Sequence, residues 1–427
     1  MSLRLHVLNL VLKSLKSLKM FKLRKYQKEA SIIGFLTLQK HKILILNYEV
    51  RTGKTHIALE IAKNYNSVLF VTRKKAIQSI EADYKTASHS FKMTVINYES
   101  LHKVNDSFDL VIADESHSLA SYPKPSKRAK DLKKLVTNDL ILMTGTLLPE
   151  SNSQIYHQLW ISPFTPFKEY ANFYKFHNAL GTPAIIYTSY GQAKDYSKLS
   201  YDRIKHFIEP IKMSYTQKEA GFNSTINETI LEVTLKDSTY KLIKQLKTDL
   251  VIQGNNEVIL ADTGVKLMQK VHQLSSGTIK FESGNRMVID NSKALFIKKH
   301  FKGKKLAIFY KFIAELEAIK EVLDITQDVE EFNTTDKHIA LQIVSGREGI
   351  NLSAADCLIY YNIDFSAVSY WQSRDRLTTK ERLTNDVYWI FSKGGIEKQI
   401  YKAVLDKKDY TLNTFKKDER ARLSEKN

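Results

Sequence analysis

A chain of 427 residues is long enough for two or three domains, and 43% apolar with 11% aromatic residues supplies a core for each, which excludes a disordered basic tail protein. The 65 Lys and Arg against 46 Asp and Glu leave a formal charge of +19, which favours a polyanionic partner and argues against an acidic, freely diffusing enzyme. The single cysteine, Cys357, excludes a disulfide framework and a cysteine zinc cluster; it lies in an apolar run (357–361), reads as core, and fits a reducing, cytoplasmic setting.

Residues 1–20 are basic and leucine-rich and contain no acid. His6 and Asn9 interrupt the apolar stretch and no small-residue cleavage site follows, so a cleaved signal is not expected. Two readings stand: an amphipathic helix laid on the first domain, or a non-native extension with Met20 as the true start. No stretch of the chain is apolar enough for long enough to cross a bilayer. Residues 21–30 lead into an amphipathic helix. Within it Gln27 carries one donor and one acceptor, the pair needed to read an adenine edge.

The four apolar residues 43–46 form a short run suited to a buried central strand. A polar turn then ends in Gly53-Lys54-Thr55, and helical spacing takes over at 56–62. Strand, turn, Gly-Lys-Thr and helix is the context of a phosphate-binding loop. Backbone N–H groups at the helix start face an anion, Lys54 reaches phosphates, and the Thr55 hydroxyl ligates Mg²⁺. The loop departs from the usual pattern: Tyr48 stands where a glycine is expected, and Arg51 and Thr52 replace small residues.

Strands at 67–71 and 93–96 flank a helix at 74–84. A further strand ends in the adjacent carboxylates Asp114 and Glu115. An acid at a neighbouring strand end is what a phosphate-and-metal site requires. Asp114 suits the metal, and Glu115 suits orienting and deprotonating the attacking water. A basic helix at 127–135, with Lys124 before it, reads equally as a nucleic-acid patch or a solvated face. The strand 140–143 ends in Thr144-Gly145-Thr146. Alternating strands and helices predict a parallel sheet covered on both faces.

Residues 150–290 break the alternation and read as a connecting insertion. It is aromatic-rich at 160–174, with helices at 236–250 and 263–274. Alternation resumes with strands at 306–309, 338–344, 357–361 and 387–391. A helix at 313–323 and another through Gln372, Arg374 and Arg376 lie between them. The predicted fold class is therefore α/β. It comprises domain 1 at 21–150, the insertion at 151–290, domain 2 at 291–407, and a charged tail at 408–427. With a phosphate loop in only one of two similar units, the nucleotide is expected in the cleft between them.

These residues together resemble a superfamily-2 helicase-like motor, most closely the Swi/Snf-type ATPases, including compact versions from phages and mobile elements. The resemblance runs from about Leu23 to Tyr401. It rests on Leu-Arg-Lys-Tyr-Gln (23–27), Arg-Thr-Gly-Lys-Thr (51–55), Asn-Tyr-Glu-Ser-Leu (97–101), the DEAH-like box Asp-Glu-Ser-His (114–117) and Thr-Gly-Thr (144–146). In the second half it rests on Phe309 to Phe312, the glycine-bearing loop 345–352, and Gln372 with its arginines.

The resemblance implies two RecA-like domains with parallel sheets that close on ATP and Mg²⁺, and DNA bound across both. It implies that Gln27 reads adenine, that Arg51, Thr52 and Gly53 line the loop, and that Lys54 holds the phosphates. Thr55 and Asp114 would hold the metal and Glu115 would activate water. Thr144 and Thr146 would couple the site to DNA, Gly349 would let the second domain's backbone approach nucleotide, and Gln372 would join the nucleotide site. In the family, arginines follow the glutamine at plus four and plus seven. Here those positions are Arg376 and Thr379, so Arg376 is the expected arginine finger and Lys380 a possible second charge. On a continuous helix Arg374 would point roughly 160° away from Gln372, toward DNA or the other domain.

The function implied is an ATP-dependent DNA translocase or helicase in the cytoplasm of a bacterial or phage-infected cell. An RNA helicase of the same superfamily is the alternative, as is an ATP-gated DNA clamp with little turnover. Protein partners and oligomeric state are not legible.

Overall fold

The computed structural model describes residues 23–86, 91–188, 191–222, 225–254, 256–346, 350, 352–378, 382–406, 415 and 418. The chain divides into two units, Met1–Ala220 and Gly221–Asn427.

The first unit is built on β1 (Ile43–Tyr48), β2 (Ser67–Thr72), β3 (Lys92–Asn97), β4 (Leu110–Asp114) and β5 (Asp139–Thr144). It continues with the hairpin β6 (Ala184–Thr188) and β7 (Gly191–Asp195) and with β8 (Lys212–Tyr215). Six of these strands form one parallel sheet in the order β3-β2-β4-β5-β1-β8. Strand residues alternate between two cores, as the two-residue period requires. Leu44, Leu46, Phe70 and Ile112 pack against the helix Lys54–Ala62, whereas Ile45, Val71, Val111 and Leu142 face the helices Lys127–Lys133 and Ile155–Trp160.

The second unit contains β9 (Thr225–Val233), the hairpins β10 (Val251–Gln253) with β11 (Val258–Leu260) and β12 (Thr278–Lys280) with β13 (Arg286–Val288), and then β14 (Leu306–Tyr310). The remaining strands are β15 (Ile325–Thr326), β16 (His338–Gln342), β17 (Cys357–Tyr360) and β18 (Thr384–Ser392). Its parallel sheet runs β15-β16-β14-β17-β18-β9. Two six-stranded parallel sheets, each covered on both faces, are the architecture expected of tandem RecA-like domains. Cys357 is buried in the second core, and burial pushes its thiol up to about 12.

The stretch 151–290 is shared between the two units rather than standing apart. β8 joins the first sheet beside β1, and β9 joins the second beside β18. The aromatic run packs into the first core, where Tyr156, Phe167, Phe173 and Phe176 are buried around one another. The expected helices appear as Asp237–Asp249 and Gly264–Ser275, which with the two hairpins enclose a small core of Leu246, Ile259, Leu274 and Ile279.

The helix expected through Arg376 ends at Ser373 and tightens into a 3₁₀ turn, Arg374–Leu377. Ser373 Oγ bonds back to the Ser369 carbonyl at 2.6 Å, a local bond that competes with helix continuation. The N-terminal extension 1–20, Gly349, Thr379 and Lys380 lie outside the described residues, as does the tail 408–427 apart from Phe415 and Asp418. Among the described residues no helix is long and apolar enough to cross a membrane.

Candidate functional site

The ends of β1, β4 and β5 converge at one edge of the first sheet. β4 does not neighbour β1; β5 lies between them, paired to both, and brings Thr144 to Thr146 into the group. The acids therefore stand one strand further from β1 than the strand-end pattern predicts.

The loop after β1 is held from several sides. Thr52 Oγ1 donates to the Glu49 carbonyl at 2.7 Å, and Tyr26 OH donates to the Thr52 carbonyl at 2.6 Å. Gln27 is buried: its Oε1 accepts from Arg24 N at 2.8 Å, and its Nε2 donates to the Thr52 carbonyl at 3.4 Å. Gly53 has φ +83, and a Cβ there would sit 2.1 Å from Gln27 Nε2, so only glycine fits. Arg51 takes a positive φ of 63°, a conformation more costly for a side-chain-bearing residue. Lys54, the first helical residue, bonds through Nζ to the carbonyls of Tyr48 at 2.7 Å and Glu49 at 3.2 Å. Thr55 follows it, half-buried, in the first turn of the helix.

Tyr48, the departure at the usual glycine, is accounted for by β8. Tyr215 on that strand stacks on Tyr48 at 5.5 Å and on Tyr26 at 4.7 Å. Glu49 N donates to the Tyr215 carbonyl, and Gln217 N donates to Glu49 Oε2. The loop thus leans on an aromatic wall supplied by residues more than 150 positions away.

The two acids are adjacent and half-buried. Asp114 Oδ2 accepts from Thr72 Oγ1 at 2.9 Å, and its carbonyl accepts from Tyr98 OH at 2.5 Å. Burial, then the neighbouring Glu115 charge, push the Asp114 carboxyl up to about 6, against the pull of Lys54 and Thr72. Burial also acts to raise Glu115, but the hydrogen bond and charge of His117 outweigh it, with help from Lys54 and Arg73, and hold Glu115 down at about 2. Glu115 takes φ 50, ψ 48. His117 Nδ1 lies 3.2 Å from Glu115 Oε2 and 3.2 Å from Thr144 Oγ1, while Thr144 Oγ1 accepts from Thr146 N at 3.0 Å. Ser116, between the acids and His117, is buried and donates to Gln158 Oε1 at 2.9 Å.

The first unit therefore brings Gln27, Arg51 to Thr55, Asp114 and Glu115 to one sheet edge. A half-buried acid pair lies by a lysine whose ammonium rests on backbone carbonyls. That donor set suits a phosphate group with a divalent cation: Lys54 for the anion, the Asp114 carboxylate and Thr55 hydroxyl for the metal. Among the described residues no cluster of three or more His, Cys, Asp or Glu could hold a metal by itself.

In the second unit, Gln372 lies in the helix Ala367–Ser373. Arg376, in the following 3₁₀ turn, is largely buried, and its carbonyl accepts from Leu352 N at 3.2 Å. Arg374 pairs with Glu228 Oε1 at 3.1 Å within the same unit, a partner the motif did not suggest.

Thr72, Arg73 and Tyr98 were not singled out from the sequence. Tyr98 stands inside the Asn-Tyr-Glu-Ser motif, and the other two directly follow the strand predicted at 67–71. The basic stretch 124–134 is partly engaged locally. Arg128 pairs with Glu99, Lys133 donates to the Trp160 carbonyl, and Lys134 approaches Asp131, which leaves Lys124, Lys127 and Lys130 exposed.

No protein-family model matches the chain, and no curated protein matches it. Among solved structures it is similar to the Sulfolobus solfataricus SWI2/SNF2 ATPase core in complex with dsDNA, with 15% identity, 90% of this chain and 91% of that chain covered, and a TM-score of 0.43. It is also similar to the Sulfolobus solfataricus SWI2/SNF2 ATPase core domain, with 16% identity, coverage of 90% and 88%, and a TM-score of 0.42. Both are named for the Swi/Snf type that the motifs of this chain resemble.

Proposed function

We propose that the chain is an ATP-driven motor on DNA, which hydrolyses ATP with Mg²⁺ to move along or remodel its substrate. The observation that carries this reading is the grouping of Lys54, Asp114 and Glu115 at the ends of β1 and β4 on either side of β5, where the Lys54 charge acts on both half-buried acids. Lys54 and the backbone at Thr52 and Gly53 bind the phosphates, and Gln27 binds the base. Thr55 and Asp114 hold Mg²⁺, which supplies charge neutralisation at the phosphates. Glu115, kept ionised by His117, orients the attacking water and accepts its proton. In the second unit, Arg376 is the residue we assign as the arginine finger, a role that stabilises charge on a transferred phosphoryl group, and Gly349 and Gln372 keep the nucleotide roles that the resemblance implies.

The DNA half of the reading rests on the +19 charge and on the motif resemblance. The test is the rate of ATP hydrolysis with duplex, single-stranded and forked DNA and with RNA at matched phosphate concentration. Stimulation by DNA above RNA supports the motor. Equal or greater stimulation by RNA turns the reading to an RNA helicase, and ATP-dependent DNA binding without turnover turns it to a clamp.

A further inference from the structure

Glu228 lies on β9, the edge strand by which the chain enters the second sheet just after the boundary at Ala220 and Gly221. Its carboxylate is nearly enclosed, with 14% of the side chain exposed, and it accepts four hydrogen bonds from three other segments. Oε1 accepts from Tyr370 OH at 2.8 Å and from Arg374 Nη1 at 3.1 Å. Oε2 accepts from Trp389 Nε1 at 2.9 Å and from Tyr401 OH at 3.0 Å. These four donors fill the acceptor sites of both oxygens. Burial and the Glu228 charge push the Tyr370 hydroxyl well above its ordinary range and that of Tyr401 up to about 12, so both phenols stay protonated and donating.

Two of the donors, Tyr370 and Arg374, belong to the helix and turn that carry Arg376, while Trp389 lies on β18 and Tyr401 in the helix Glu397–Leu405. Tyr370 is in the helix Ala367–Ser373, one turn before Arg374. Trp389, on β18, stacks between Tyr360 at 3.7 Å and Tyr370 at 5.5 Å. Tyr360 OH also bonds Ser373 Oγ, the last residue before the turn. The azimuth of this helix on the sheet, and with it the start of Arg374–Leu377, is thus set by one carboxylate and the aromatic stack beneath it.

Stability alone does not account for an acid here. An apolar side chain of similar size could pack against Trp389 without the desolvation that a nearly buried carboxylate suffers. What the carboxylate adds is direction: four bonds of fixed geometry, where an apolar contact would let the helix slide.

We propose that Glu228 is a positioning residue for the proposed arginine finger, acting through Arg374 and Tyr370 to hold the turn that presents Arg376. This rests on the ATPase reading above.

The test uses the full chain with Glu228→Gln, Arg374→Gln and the double variant. ATP affinity, DNA affinity, thermal midpoint and DNA-stimulated kcat are measured on each. Glu228→Gln is expected to lower kcat about tenfold or more, as a small misplacement of a catalytic group does, with both affinities within about twofold. The double variant is expected to lose no more than the worse single variant, because both residues act through one contact. Unchanged kcat in Glu228→Gln, or additive losses in the double variant, would overturn the role of Glu228. A parallel fall of thermal midpoint and both affinities would reduce it to packing. Absence of turnover in the unaltered chain would overturn the motor reading itself, which separates the two failures.

Discussion

His117 Nδ1 stands 3.2 Å from Glu115 Oε2, which puts a ring N–H against the acid proposed to activate water. The same nitrogen lies 3.2 Å from Thr144 Oγ1, so one imidazole joins the ends of β4 and β5. His117→Ala is expected to lower kcat by about 10² while ATP still binds, since it removes the group that holds Glu115 ionised and oriented. A turnover assay with a parallel nucleotide titration checks this; loss of ATP binding alone would assign His117 to the nucleotide pocket instead.

Lys54 and Glu115 divide binding from chemistry. Lys54→Ala is expected to weaken ATP binding, because it removes the ammonium, now held on the Tyr48 and Glu49 carbonyls, that is proposed to bind the phosphates. Glu115→Gln is expected to keep ATP and stall hydrolysis. Normal turnover in Glu115→Gln would remove Glu115 from the catalytic role.

The +19 charge sets the salt response. If about six or more DNA phosphates are neutralised, affinity falls by about 10³ or more between roughly 50 and 200 mM salt. Fluorescence anisotropy over a salt series measures the slope. A flat response would point away from DNA tracking and toward a protein partner.

Arg376→Ala is expected to lower turnover on the order of 10³ with ATP still bound, the loss associated with an arginine finger. Arg374, paired with Glu228, should cost about tenfold at most when changed to alanine. If single-turnover rates come out in the reverse order, Arg374 is the finger and the motif is shifted by two residues.

Acid should destabilise the fold through buried histidines. Burial holds His157 down at about 4, although its Nδ1–H donates to the Ser121 carbonyl at 2.6 Å. His272, in the second unit, is driven well below its ordinary value by burial and by the charges of Lys311 and Lys293. Both are neutral when folded, so the unfolded chain binds more protons between about pH 6.5 and pH 4. The stability they contribute is full above about pH 6.5 and is lost as the pH falls through that window, at no more than about 1.4 kcal/mol per pH unit for each proton. Urea melts of the unaltered chain and of His157→Phe at pH 7 and pH 5 test the sign. The variant should show the shallower dependence.

The sequence alone determined the strand-and-helix alternation of both units, because each buried strand is a short apolar run bounded by polar turns. It also singled out residues 51–55 and the pair Asp114 and Glu115, because the Gly-Lys-Thr turn and the adjacent acids each follow a short apolar run. It did not determine what stands between or behind them. That β5 separates β1 from β4, that β8 places Tyr215 against Tyr48, and that β9 brings Glu228 to Arg374 are pairings across long stretches of chain. Local patterning does not encode such pairings; the lateral order of strands in a parallel sheet is decided by crossover and packing of the whole unit. The helix that was expected to reach Arg376 failed for a related reason. Helical spacing continues through that stretch in the sequence, but beside the local Ser373 bond the Tyr360 hydroxyl meets Ser373 Oγ and the Glu228 carboxylate takes Arg374, and both of those partners come from other segments.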